Sequence, residues 1–356
     1  MFGGVYSGRR VLVTGHTGFK GSWLALWLQS LGAELTGVAL PPATEPSHWD
    51  LLGLDLPSHA IDIRDAAALQ AMLRQARPEI VFHLAAQALV RPSYDDPLGT
   101  WSTNVMGTAN VLEACRQAGG VRAIVVVTTD KCYENEERPA GYRENDRLGG
   151  HDPYSASKAG AELVAASYAR AFFQAPGAPL LATARAGNVV GGGDWAQDRL
   201  IPDLVRAVGA GAPLEIRSPA ATRPWQHVLD SLSGYLLLGQ RLLAGDAAAT
   251  GAWTFGPGPE ANMTVAGVLG RMRELWPALA WRQTAQPQPH EAKLLYLDSA
   301  KARAGLGWRT AWSLEQTLAA TAQWYQAHQA TGRVTSRAQL DQYAEAARAA
   351  GLGWAA

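Results

Sequence analysis

The chain has 356 residues, 47% of them hydrophobic, which is room for one large folded unit, or a large and a small one sharing a boundary, and argues against disorder. Lys plus Arg and Asp plus Glu each number 31, so the formal charge is zero; with no basic block, nucleic acid is not an expected partner, while a local site for a small anion remains open. Cys115 and Cys132 make no disulfide framework, residues 1–10 carry no apolar leader core, and no apolar run is of bilayer length, so a soluble cytoplasmic protein with no membrane partner and no metal site is expected.

The first half alternates strand-length apolar runs with helix-length amphipathic stretches. Val11–Thr14 reads as a buried strand and Lys20–Leu31 as a helix with Leu24, Leu28 and Leu31 on one side. Strands are expected at Leu35–Leu40 and Ala60–Ile63, a helix at Ala66–Gln75, a strand at Glu79–Ala85 and a long helix at Leu98–Ala118. Ala123–Thr129 then reads as a strand, Pro153–Phe173 as a long helix and Leu180–Ala186 as a strand. Alternating β and α with nearly continuous apolar strands predicts an α/β fold: a Rossmann-like, doubly wound parallel sheet covered on both faces.

After Ala186 the rhythm breaks at Gly191-Gly192-Gly193 and the segments shorten. Helical pieces are expected at Ile201–Gly209, Leu232–Leu243 and Val265–Leu275, short strands at Leu214–Ile216 and Leu294–Leu297, and a terminal helix at Arg337–Ala350. This predicts a nucleotide-binding domain over residues 1–187, with roughly 225–255 returning to it, and a smaller C-terminal substrate-binding lobe with a tail over 188–356.

Gly15-His16-Thr17-Gly18-Phe19-Lys20-Gly21 follows the first strand and opens the first helix. Glycines at this spacing permit a tight turn and close backbone approach, and a helix N-terminus offers unpaired N–H groups to a pyrophosphate. The strand–turn–helix context makes this a dinucleotide loop. The acid that usually ends the second strand and bonds the ribose is missing, since the run there is Val38-Ala39-Leu40-Pro41-Pro42. That position does not choose between NAD and NADP. Asp62 after the third strand either bonds the adenine amine or makes a plain strand-end turn. Lys20 sits in the first helical turn, where the macrodipole disfavours a cation unless a phosphate binds.

Tyr154-Ser155-Ala156-Ser157-Lys158 is a Y-x-x-x-K pattern at the start of a long helix, with both side chains on one face. A nearby ammonium and an oxidised nicotinamide favour the phenolate, which then takes a proton from a sugar hydroxyl. Thr129-Asp130-Lys131 follows Ile124–Val127 at the carboxyl end of a strand, where a doubly wound sheet faces its ligand. Thr129 can bond the reacting oxygen, Asp130 can act as general acid, and Lys131 can donate or serve as a base. Arg223 is a guanidinium fork suited to phosphate, its backbone fixed by Pro224 and Trp225. His83 reads as a satisfied core residue, and core packing is the default for Trp195, Trp225 and Trp253.

These motifs resemble the extended short-chain dehydrogenases that act on nucleotide sugars, over nearly the whole chain. Within them the sequence is most similar to CDP-glucose 4,6-dehydratases, through residues 15–23, 102–108, 129–133, 185–195 (Arg-Ala-Gly-Asn-Val-Val-Gly-Gly-Gly-Asp-Trp) and 223–228 (Arg-Pro-Trp-Gln-His-Val). The resemblance implies NAD as cofactor, held by residues 15–21, Asp62, Ile63, Leu84, Ala85, Ala86, Asn104, Tyr154 and Lys158. It implies a CDP-glucose substrate held by Gln87, Asn188, Asp198, Arg199, Leu200, Ile201, Arg223 and His290, the last beside Glu291. It also implies a homodimer joined through a four-helix bundle of the Leu98–Ala118 and Pro153–Phe173 helices, or a tetramer. One departure stands out. Related dTDP-glucose dehydratases carry Asp-Glu where this chain has Asp130-Lys131, so the carboxylate expected to take the C5 proton is absent; neutral Lys131 or a relayed water are the candidates. The alternatives are a dTDP-glucose dehydratase, a nucleotide-sugar 4-epimerase, or an inactive NAD-binding regulator. Asp130 argues against the epimerase, and intact Tyr154 and Lys158 against the regulator.

Overall fold

The structure is a computed structural model that describes residues 1–284 and 294–356. Seven strands form one parallel sheet. In chain order they are β1 (Arg10–Thr14), β2 (Glu34–Ala39), β3 (Ser58–Ala60), β4 (Ile80–His83), β5 (Ala123–Val127), β6 (Leu180–Ala186) and a last strand, Gly251–Phe255. Across the sheet the order is Gly251–Phe255, β6, β5, β4, β1, β2, β3. The order reverses at β1 and β4, whose ends lie side by side with Thr14 opposite His83. A doubly wound sheet opens its ligand crevice at such a switch point.

Side chains leave a strand on alternate faces, and both faces here are apolar. Val11, Val13, Phe82 and Val125 point to one side and pack under the helices Phe19–Ser30 and Val228–Leu243, through Trp23, Leu24, Trp27, Leu232 and Leu236. Leu12, Val81, Ile124 and Val126 point to the other, under Leu69, Leu73, Val111, Leu112 and Ala165. A separate core joins the helices Leu200–Gly209, Val265–Leu275 and Leu314–Thr331 around Leu204, Val268, Leu269, Leu318 and Trp324. The terminal helix, Ser336–Ala349, returns to the first core: Tyr343 packs edge-on to Trp27, and Trp354 stacks on Phe2 with centroids 5.1 Å apart.

Three elements differ from the sequence reading. The third strand ends at Ala60, because the chain then enters a turn closed by the Asp65 N–H donating to the Asp62 carbonyl at 2.9 Å. The long helix expected over Leu98–Ala118 is a short helix, Pro97–Trp101, a π-helical turn, Ser102–Met106, and a helix, Gly107–Ala118. The stretch Leu294–Leu297 makes only isolated bridges, Leu294 to Thr222 and Leu297 to Tyr142.

Candidate active site

The ends of β1, β4, β5 and β6 and the start of the Phe19–Ser30 helix meet the smaller core across a cleft of about 690 Å³. The loop after β1 forms its floor. Gly15 has φ +76°, and a Cβ there would lie 2.6 Å from the Ala85 nitrogen; one on Gly21 would lie 2.0 Å from the Gly15 carbonyl oxygen. Only glycine lets these backbones close up. Gly18 starts the helix with no side-chain cap, so the first-turn N–H groups face the cleft beside Thr17, Phe19 and Lys20. This cradle fits a dinucleotide pyrophosphate, and Asp62, Ile63, Leu84, Ala85 and Ala86 line the cleft further along.

The reacting groups come from two elements. Asp152 caps the helix Pro153–Ala171 by accepting from the Ser155 N–H at 2.9 Å, which sets the first turn and puts Tyr154 and Lys158 into the cleft. β5 delivers Thr129, Asp130 and Lys131 to the same place. The Thr129 hydroxyl donates to Asp130 Oδ1 at 3.0 Å, while Asp130 Oδ2 is buried with no partner among the described residues. Burial raises the Asp130 pKa, opposed by Lys131. Burial also pushes the Tyr154 phenol up to about 12, against a hydrogen bond with Thr129, and brings Lys158 down to about 8, against the pull of Glu162. The set therefore brings a carboxyl of raised proton affinity, a phenol and an amine side by side.

Lys20 faces this group. Its amine donates to the Tyr235 hydroxyl at 3.2 Å, and burial, with Arg199 next in weight, lowers its pKa to about 7. Arg199 also lines the cleft and donates to Asp194 at 3.0 Å, which with its charge raises the Arg199 pKa. Asn188, Arg223, Leu200 and Ile201 complete this side, with Trp225 among the lining residues. Lys20, Arg199 and Arg223 bring basic donors of the kind a diphosphate binds to this side, beside Asp194 and Asp198.

Several predicted site residues turn away from the cleft or are held there by other side chains. His16 turns away from the cleft: its Nε2 meets the Ser58 hydroxyl at 2.7 Å, its ring packs edge-on to Trp49, and burial lowers its pKa to about 4. The Gln87 side chain turns into its own loop, donating to Thr100 and accepting from the Leu89 N–H. Asn104 is buried behind the cleft, accepting from the Gln87 N–H at 2.9 Å and donating to Ser157 at 2.8 Å, so it ties the loop after β4 to the catalytic helix. Asp198 lines the cleft but is held between Arg91 at 2.8 Å and Arg217 at 3.3 Å. Asp62 is held by the Arg64 guanidinium. His290 and Glu291 lie outside the described residues. His83 is a satisfied core residue, bonded to Thr14 at 2.7 Å and Thr108 at 3.1 Å.

A parallel nucleotide-binding sheet with a Tyr–Lys pair beside a strand-end acid defines an extended short-chain dehydrogenase/reductase. The profile of the GDP-mannose 4,6 dehydratase family matches residues 12–321, and the chain belongs to that family. A CDP-glucose 4,6-dehydratase of Salmonella typhimurium is 48% identical over 329 residues, covering 90% of this chain and 92% of that one. The dTDP-glucose 4,6-dehydratase DesIV of Streptomyces venezuelae, solved with NAD bound, has a TM-score of 0.76 at 28% identity, covering 90% of this chain and 98% of that one. The epimerase Mth375 of Methanothermobacter thermautotrophicus, at 24% identity and a TM-score of 0.82, shares the fold, covering 92% of this chain and 95% of that one.

Proposed function

We propose that the protein is an NAD-dependent lyase that converts CDP-glucose to CDP-4-keto-6-deoxyglucose and water. The observation that carries this is Asp130, a buried carboxyl with raised proton affinity, set beside Tyr154 and Lys158. Oxidation alone needs the Tyr–Lys pair; expelling a hydroxyl needs an acid as well. The nucleotide assignment rests on the 48% identity to the Salmonella enzyme. The cofactor's part, once bound in the glycine cradle, is redox exchange between C4 and C6 of the sugar.

The chain's own groups do the rest. Lys158 holds positive charge near Tyr154, which takes the C4 hydroxyl proton, with Thr129 beside that oxygen. The 4-keto group acidifies C5, whose proton passes to neutral Lys131 or through a water. Asp130 protonates the departing C6 hydroxyl, and C5 is reprotonated. Arg199, Arg223 and Asn188 hold the substrate diphosphate, with Leu200 and Ile201 toward the nucleotide. We further propose a homodimer working in the cytoplasm. Among the described residues no helix is long and apolar enough to cross a membrane.

The test uses CDP-, dTDP-, UDP- and GDP-glucose with NAD, and then substrate deuterated at C4. CDP-glucose should be turned over fastest, and the label should appear in the 6-methyl group of the same molecule with no net NADH. An epimerase would return the label to C4, and a simple dehydrogenase would lose it to free cofactor. Either outcome, or dTDP-glucose turned over as fast, overturns the assignment concerned.

A further inference from the structure

Tyr154 and Lys158 share their helix face with a third residue four further on, Glu162. Its carboxylate is buried, and so is its partner: the Glu162 and Arg185 side chains are 3% and 4% exposed and 2.8 Å apart. Glu162 takes two further contacts, from two other places. Oε1 accepts from the Thr128 hydroxyl at 2.5 Å, and Oε2 from the Thr183 hydroxyl at 2.7 Å as well as from Arg185. Arg185 in turn donates to the Tyr133 hydroxyl and to the Glu144 carbonyl, both at 3.0 Å. One carboxylate thus links the catalytic helix, the residue preceding Thr129 at the end of β5, and β6.

We propose that Glu162 is the positioning residue of this active site: through Thr128, Thr183 and Arg185 it fixes the helix bearing Tyr154 and Lys158 against the strand end bearing Thr129 and Asp130. The inference rests on the assignment of those four as the reacting groups. A buried ion pair is a weak source of stability, because desolvation offsets attraction, so this pair needs another reason to sit here. Geometry supplies it. The phenol and the acid come from different elements, and a misplacement of about 1 Å between such groups costs about 100-fold in rate. Charge adds to it. The groups facing Lys158 are Tyr154 and Glu162 on its own helix, Cys132 after β5, His83 on β4 and Lys20 on the Phe19–Ser30 helix. Of these, His83 is held neutral by burial and Lys20 opposes a second cation, which leaves Glu162 as the main carboxylate support.

The test is Glu162→Gln in the full-length enzyme with NAD. The kcat should fall about 100-fold while KM for the nucleotide sugar changes less than about threefold. The alkaline limb of the pH profile of kcat should move to lower pH, because without the carboxylate Lys158 loses its proton earlier. A residue that only stabilised the fold would lower the melting temperature and leave both limbs in place, and limbs unmoved in Glu162→Gln overturn the charge role. Thr128→Val, which cuts one tie and keeps the ion pair, should lower kcat about tenfold with the limbs where they were; kcat within twofold of the parent overturns the positioning role, even where Glu162→Gln fails to fold. Lysine side-chain NMR, with Lys158 assigned by Lys158→Met, reads the same charge effect without turnover. A lower Lys158 midpoint in Glu162→Gln supports the inference even if the wild type dehydrates none of the four sugars, the result that would end the dehydratase reading alone.

Discussion

Thr129 donates to one carboxylate oxygen of Asp130 at 3.0 Å and leaves the other oxygen buried and unbonded among the described residues. A lone buried carboxylate oxygen is costly when charged and inexpensive when it carries a proton. This environment therefore raises the proton affinity of Asp130, which lines the cleft. Asp130→Asn should lower dehydration by about 100- to 10,000-fold, the usual span for a general acid. Oxidation at C4 does not need this proton, so the variant should build up bound NADH with its substrate, seen at its absorbance band. Full turnover in Asp130→Asn would place the acid elsewhere.

Tyr154→Phe removes the group that takes the C4 proton and leaves a side chain of the same shape. Turnover should fall by at least about 100-fold, with an unchanged circular dichroism spectrum and melting temperature within a few degrees. Activity within tenfold of the parent would assign the base to another residue.

What was legible in the sequence and what was not divides on locality. The glycine loop, the Tyr154–Lys158 pair and Thr129-Asp130-Lys131 each lie within a few residues at the junction of a strand or helix, and the doubly wound topology brings such junctions to one edge. Side-chain direction within loops was not legible. His16 and Gln87 sit inside the right segments, but their side chains turn to Ser58 and to Thr100. Partners distant in sequence were equally hidden: Tyr235 reaches Lys20 across 215 positions, and no local pattern announces it. Glu162 could have been found, since it continues the spacing of Tyr154 and Lys158 by one more turn.

The cofactor should be held loosely. The cleft residues at the end of β2 are Ala39, Leu40 and Pro41, with no acid for the ribose, and Asp62 is already bound to Arg64. A missing hydrogen bond to a charged partner is worth about 1.5–3 kcal/mol, or about one to two powers of ten in affinity. Purified protein should be partly empty, and added NAD should raise its activity. One tightly held, non-exchanging NAD per chain would contradict this.

Lys20 predicts a pH-dependent stability of the cofactor-free protein. Its pKa is lowered from 10.5 to about 7, first by burial and then by Arg199. Between those values the unfolded chain binds a proton that the folded one does not, so this group's contribution to stability rises with pH through that window and is least below about pH 7. Lys20→Met should therefore raise the melting temperature at about pH 6 and lose that advantage toward about pH 10. An anion that pairs with the amine, such as pyrophosphate, should narrow the gap at low pH. The same gap at every pH would show that the amine is not buried charged.

The last prediction concerns the outer face of the catalytic helix. Leu98 is 81% exposed, Leu163 61% and Met106 57%, with Trp101 at 41%. Leu163 stands on the helix Pro153–Ala171, on the turn after Lys158, and the others on the Pro97–Trp101 helix and the π turn that follows. Trp101 and Val105 pack over Gly160, so the two elements present one continuous surface. Large side chains this exposed on adjacent helices mark an interaction face. A two-fold axis beside them would join two such pairs into a four-helix bundle, and in a self-complementary interface each substitution counts twice. Replacing Leu98 and Leu163 by Glu removes four apolar side chains from the dimer, about 6 kcal/mol or more, or at least four powers of ten in dissociation constant. Sedimentation should give a dimer for the parent and a monomer for Leu98→Glu/Leu163→Glu at micromolar protein. The same helix carries Tyr154 and Lys158, so the monomer should also lose activity, and raising its concentration should recover part of it. A parent protein that sediments as a monomer, or a double variant that stays dimeric, would move the interface off this face.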